Sequence, residues 1–101
     1  MNIFTTEENG VVTARLEGRL DTAASMEVAP EFESLNQKAA QTVILDCKEL
    51  SYISSSGLRL FLGLRKAASA KGGKVVVRGM SDEIRQVFMM TGFLNLFQIE
   101  D

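Results

Sequence analysis

Tyr52-Ile53-Ser54-Ser55-Ser56-Gly57-Leu58 follows the apolar run Val43-Ile44-Leu45-Asp46 and opens a segment with helical spacing. A short continuous apolar run is what a strand buried on both faces requires, so residues 41–46 read as such a strand. Lys48-Glu49-Leu50-Ser51 reads as a connecting loop. Leu58, Phe61, Leu62 and Arg65 then recur at the 3.6-residue spacing of one helix face, with Arg65 at its edge. The spacing predicts a helix from about Ser56 to Ala70, stopped by Gly72-Gly73. Lys74-Val75-Val76-Val77-Arg78 supplies a second buried strand, and a strand-helix-strand unit of this kind joins parallel neighbours through a right-handed crossover. Serines between a buried strand and a helix lie at the surface among unpaired backbone N–H groups, a place suited to receiving or presenting a phosphate.

On the N-terminal side, residues 2–8 and 11–17 read as two strands joined at Asn9-Gly10, a strong hairpin signal. Val12, Ala14 and Leu16 alternate with Val11, Thr13, Arg15 and Glu17, giving one buried and one mostly solvated face. Gly18-Arg19-Leu20-Asp21-Thr22 breaks that alternation, and Asp21 or Thr22 caps a helix expected from about Ala23 to Ala40. Met26, Phe32, Leu35 and Ala39 fall near one face of it, and Pro30 predicts a kink or a break into two segments.

Beyond residue 78, Ser81 with Asp82 and Glu83 in the first turn starts a third helix, where the helix dipole favours negative charge. Ile84, Val87, Phe88 and Thr91 form its inner face, Met89-Met90 is expected to pack beneath it, and Gly92 ends it. A last strand is expected around Phe97-Gln98-Ile99. The order is β-β-α-β-α-β-α-β, an α/β fold with a mixed sheet in one domain spanning residues 1–101.

Composition narrows the chemistry. With 101 residues, 46% of them hydrophobic and 24% charged, the chain has the make-up of an ordinary globular domain. A net charge of −2 carries no electrostatic footprint for nucleic acid. The longest apolar stretch, Leu58 to Leu64, is interrupted by Arg59 and Gly63 and falls far short of a membrane span, so no direct membrane insertion is expected. The N-terminus lacks the pattern of a signal peptide, which points to the cytoplasm. Cys47, the single cysteine, reads as a small buried hydrophobe. The absence of histidine excludes Ser-His-Asp and Cys-His catalysis, phosphohistidine transfer and His-containing zinc sites, and one cysteine excludes a thiolate zinc cluster. No cofactor or metal is expected, and any chemistry must run on hydroxyls, carboxylates, Lys or Arg.

One serine suffices to cap a helix, so Ser54, Ser55 and Ser56 together exceed what a cap requires. Gly57 in the first turn costs about 1 kcal/mol relative to alanine, which is reasonable where a bare backbone lets a partner approach closely.

Val43-Ile44-Leu45-Asp46, Leu50, Tyr52-Ile53-Ser54-Ser55-Ser56-Gly57-Leu58 and Leu60 together resemble the signature of the STAS domain. The similarity is greatest to the stand-alone bacterial anti-sigma factor antagonists. Gly18-Arg19-Leu20-Asp21 is similar to that family's Gly-x-Leu-Asp turn, and Gly72-Gly73, Gly92-Phe93 and Leu96-Phe97 also fit. The resemblance implies a STAS-like mixed sheet with helices packed against it, and a protein that is substrate and ligand rather than enzyme. It implies an anti-sigma factor with serine kinase activity as partner, with a serine phosphatase as the opposing enzyme. The family's register places the phospho-acceptor at Ser55, with Ser54 and Ser56 as the alternatives. Ser54 stands where the family usually has Asp. The implied partner surface is Asp21, Ser54, Ser55, Ser56, Gly57 and Arg59. Asp21 also reads as a plain helix cap. Arg59 meets an acidic group of the partner or is simply solvated. Two rival readings differ in class: an unphosphorylated STAS accessory subunit of a membrane lipid ABC transporter, and a serine hydrolase using Lys66 or Lys71 as base.

Overall fold

Asn9 and Gly10 both take positive φ, 54° and 79°, the paired left-handed conformation that lets a two-residue turn follow the natural twist of a hairpin. They join β1 (Asn2–Glu8) to β2 (Val11–Leu20) in the sheet's one antiparallel pair. In this computed structural model, which describes residues 1–101, there follow α1 (Thr22–Gln37), β3 (Thr42–Ile53), α2 (Ser55–Lys71), β4 (Lys74–Arg78), α3 (Asp82–Thr91), a 3-10 turn (Phe93–Asn95) and β5 (Gln98–Glu100). The strands lie in the order β1-β2-β3-β4-β5, and every pair after the hairpin is parallel. Each parallel step is bridged by one helix. This is the α/β order expected from the sequence.

The core forms where alternate strand positions meet the helices. Val12, Ala14 and Leu16 of β2, Val43, Leu45 and Cys47 of β3, and Val75 and Val77 of β4 belong to one buried cluster with Phe32, Leu35, Phe61, Leu64, Ile84 and Phe88. Phe61 is central to it. Its ring stacks on Phe32 at 5.8 Å and meets Phe88 and Phe97 edge-on at 5.9 and 6.4 Å, linking α1, α2, α3 and the entry to β5.

The largest departure from the sequence reading is the length of β2 and β3. Lys48-Glu49-Leu50-Ser51 is not a loop, and Gly18-Arg19-Leu20 does not leave the sheet; the two strands stay paired as far as Leu20 and Ile53. Register shifts between Arg15 and Glu17 and between Gly18 and Arg19 mark bulges, each of which inserts an extra residue and interrupts the two-residue alternation. Buried positions in β3 therefore run Val43, Leu45, Cys47, Leu50, Ile53. At the second irregularity the Ser51 hydroxyl donates to the Gly18 carbonyl at 3.1 Å.

Smaller departures have local causes. α1 starts at Thr22 and ends at Gln37 rather than spanning 23–40, with Lys71 Nζ donating to the carbonyls of Asn36 and Gln37 at 2.9 and 3.2 Å. The helix runs unbroken through Pro30, because Pro30 and Met26, whose carbonyl loses its N–H partner there, both lie on the exposed side, while Val28 and Phe32 are held in the core. Met26 is thus exposed rather than on the inner face. In α2 the buried position is Leu64, and Leu62 is only partly covered. In α3, Thr91 is exposed and its hydroxyl donates to the Val87 carbonyl at 2.8 Å, and Met89 and Met90 face solvent instead of packing beneath the helix. The final strand begins at Gln98, one residue later than expected, with Phe97 in the core before it. No helix is long and apolar enough to cross a membrane.

Candidate functional site

The extension of β2 and β3 builds the site. Leu20 pairs with Ile53 at the end of the ladder, so Asp21 and Ser54 leave the sheet side by side and each begins a helix. The Ser54 amide donates to the Leu20 carbonyl at 2.9 Å, fixing the two exits to one another. Asp21 caps α1, its Oδ1 accepting from the Ala24 amide at 2.8 Å, and Ser25 Oγ donates to the Asp21 carbonyl at 2.8 Å. Ser54 caps α2, its Oγ accepting from the Gly57 amide at 3.1 Å. The N-termini of two helices therefore stand together at the C-terminal edge of parallel strands, where open α/β sheets expose their ligand-facing loops.

The three serines separate by environment. Ser54 is buried, 9% exposed, and its hydroxyl serves the cap. Ser55 occupies the first helical position with its side chain exposed, and Ser56 is half-buried. The surface placement expected for the triplet thus holds for Ser55 and fails for Ser54. The first turn of α2 contains no acid, and its leading amides lack intrahelical acceptors, so negative charge at Ser55 is electrostatically welcome. Arg59, one turn further on, is exposed.

Gly57 has another explanation than partner access. It is buried, and a Cβ there would lie 2.8 Å from Leu20 Cγ and 2.9 Å from Ile53 Cγ1. The bare backbone lets the first turn of α2 seat against the last pair of the β2–β3 ladder. That contact is internal, and it holds the serine turn to the sheet.

Arg19 and Tyr52, which the sequence motifs contain but give no role, pair across the extended strands. The Arg19 guanidinium lies over the Tyr52 ring at 4.4 Å from its centroid, on exposed surface beside the two caps. Only the bulged register brings them together, and no local pattern announces it.

None of the three surface cavities includes Ser54, Ser55 or Ser56. The nearest by sequence, about 510 Å³, is lined by Lys48, Glu49, Leu50, Ser51, Ser81 and Glu83. Ser55 thus lies on open surface, the setting of a macromolecular contact rather than an enclosed substrate site. Lys66 and Lys71 lie 11 and 16 residues along the same helix, about 17 and 24 Å from Ser55 at 1.5 Å per residue. Neither reaches its hydroxyl, which removes the hydrolase reading.

The similarity to known proteins agrees with this arrangement. A sequence model described as the STAS domain matches residues 2–101. BtrV of Bordetella bronchiseptica, classed among anti-sigma factor antagonists, is 32% identical over 91 residues, 90% of this chain and 78% of BtrV. The anti-sigma-B factor antagonist of Staphylococcus aureus is 27% identical over 101 residues, 100% of this chain and 94% of the relative. The solved structure of the anti-sigma factor antagonist SpoIIAA in its unphosphorylated form matches with a TM-score of 0.76 at 24% identity, over 99% of this chain and 88% of that one. The phosphorylated form of Bacillus SpoIIAA matches with a TM-score of 0.74 at 25% identity, over 97% and 90%.

Proposed function

This chain belongs to the STAS domain family, and from that membership we propose that it is an anti-sigma factor antagonist of the SpoIIAA type, a regulatory binding protein and not an enzyme. In this reading the unmodified protein works in the cytoplasm and binds an anti-sigma factor that is itself a serine kinase. The sigma factor is thereby freed for RNA polymerase. Phosphorylation of Ser55 ends the binding, and a serine phosphatase restores it.

The observation that carries the reading is the division of labour between adjacent serines. Ser54 is buried and caps the helix, while Ser55 offers its hydroxyl on an anchored, open surface. The same division accounts for the family's usual Asp at the position of Ser54, since Asp and Ser are both strong N-caps. The cap survives the replacement, and with it the presentation of Ser55.

Phosphorylation adds about −1.5 to −2 charges and three acceptor oxygens. At the first turn of α2 that charge suits the helix, so the fold is retained. In a packed contact the same dianion is costly to desolvate, and a loss of ~3 kcal/mol weakens binding by about two orders of magnitude. Adding the purified protein to an isolated complex of sigma factor and anti-sigma kinase from the same organism tests the reading. Release of the sigma factor is expected, and Ser55→Asp is expected not to release it. Failure of the unmodified protein to release any such sigma factor, or its recovery from cells with an ABC transporter component instead, contradicts it.

A further inference from the structure

The charges of the two neighbouring helices are segregated. α1 carries Glu27, Glu31 and Glu33 and no cation, whereas α2 carries Arg59, Arg65, Lys66 and Lys71 and no acid. They do not neutralise one another, since the four ion pairs of the structure are Arg15–Glu17, Lys38–Glu7, Arg78–Glu100 and Arg85–Asp101. Two of the α2 cations serve the fold: Arg65 donates to the Leu96 carbonyl, and Lys71 to the end of α1. Arg59 and Lys66 remain exposed and without a partner.

Ser55, Arg59, Gly63 and Lys66 follow the i, i+4, i+8, i+11 spacing of one helix face. Gly63 on that face is not required by the chain's own packing. A Cβ built there meets nothing within 4 Å, in contrast to Gly57, whose Cβ would collide with Leu20 and Ile53. Glycine inside a helix is destabilising relative to alanine, so its presence at an open position points outward, to a surface that approaches the helix backbone.

Resting on the reading of Ser55 given above, we propose that the outer face of α2 is a docking strip for an acidic segment of the anti-sigma factor, with Gly63 as the close-approach point and Arg59 and Lys66 as its charge contacts. Ser55 heads the strip. A phosphate there, one turn from Arg59, reverses the sign of the surface where the acidic segment begins and competes for the Arg59 guanidinium. Of these two neighbouring helices only α2 offers such a surface, because α1 presents the opposite sign.

Affinity for the anti-sigma kinase of the same organism tests the strip, measured for wild type, Ser55→Asp, Arg59→Glu/Lys66→Glu, Gly63→Ala and Gly63→Gln, with Glu33→Gln on α1 as control. The charge reversal is expected to weaken binding at least ten-fold at about 0.15 M salt, with the gap closing near 1 M as screening shortens to about 3 Å. Gly63→Ala is expected to raise the melting temperature by roughly 3–8 °C while lowering affinity, a combination that a purely structural role does not produce. Gly63→Gln is expected to weaken binding at least ten-fold. Glu33→Gln is expected to bind as wild type. Loss of binding by Ser55→Asp with undiminished affinity in the strip variants overturns the strip and leaves the switch standing. Absence of binding by the wild type overturns both.

Discussion

Ser54 and Ser55 differ by one position and by almost everything that matters to their chemistry. The Ser54 hydroxyl takes the Gly57 amide, so Ser54→Ala leaves a buried N–H without its acceptor and is expected to cost about 1 kcal/mol in denaturant unfolding. Ser55→Ala, at an exposed position, is expected to stay within about 0.5 kcal/mol of wild type in the same measurement. Gly57→Ala forces a methyl against Leu20 and Ile53 and is expected to destabilise by about 1–3 kcal/mol, the opposite sign to the same change at Gly63. Cys47 supplies a pH signature. Burial, with a smaller contribution from the Asp46 charge, pushes its thiol from 9.0 up to about 12. The unfolded chain releases this proton near pH 9 and the folded chain holds it to about pH 12. Between those values the unfolded state binds fewer protons, and stability falls as pH rises. The slope from this group approaches about 1.4 kcal/mol per pH unit, and unfolding curves of Cys47→Val across pH 9–11 are expected to lack that increment.

At the scale of elements, the order of strands and helices is written in the chain's periodicity, and the serine turn could be placed between β3 and α2 from that alone. The joined ends of β2 and β3 could not, because two bulges convert the buried spacing from two residues to three over Cys47, Leu50 and Ile53. A pattern of charged residues around one leucine, Lys48-Glu49-Leu50-Ser51, has the local appearance of a loop. Only pairing with β2 keeps it extended. The same bulges place Asp21 beside Ser54 and Arg19 over Tyr52, so the half of the site contributed by β2 was legible as separate motifs but not as one surface. Gly57 stood out in the sequence as a bare backbone for a partner's approach, whereas the contact that requires it is internal, against Leu20 and Ile53. Likewise Met26, Met89 and Met90 are apolar yet exposed, because residue type alone does not fix which side of a helix faces the sheet. The elements are tied together through Phe61, whose ring touches Phe32, Phe88 and Phe97. Phe61→Ala is expected to cost about 3–5 kcal/mol in denaturant unfolding, and a loss below 1 kcal/mol would mean that the three helices do not share this core.

For the whole molecule, the arrangement separates the buried core from the surface to which the proposed switch is assigned. Core aromatics and the sheet hold the serine turn from within, and Ser55 lies exposed at a helix start whose leading amides favour negative charge. Protein phosphorylated at Ser55 is therefore expected to melt at or slightly above the temperature of the unmodified form, while its partner affinity collapses. The most direct measurement incubates the protein with the anti-sigma kinase and ATP, maps the modified residue by mass spectrometry, and compares the affinities of the modified and unmodified forms for that kinase. Phosphate on Ser55 alone, with binding weakened about a hundred-fold and the fold unchanged, is the result predicted. Phosphate on Ser54 or Ser56, no transfer at all, or equal affinity of the two forms would contradict it.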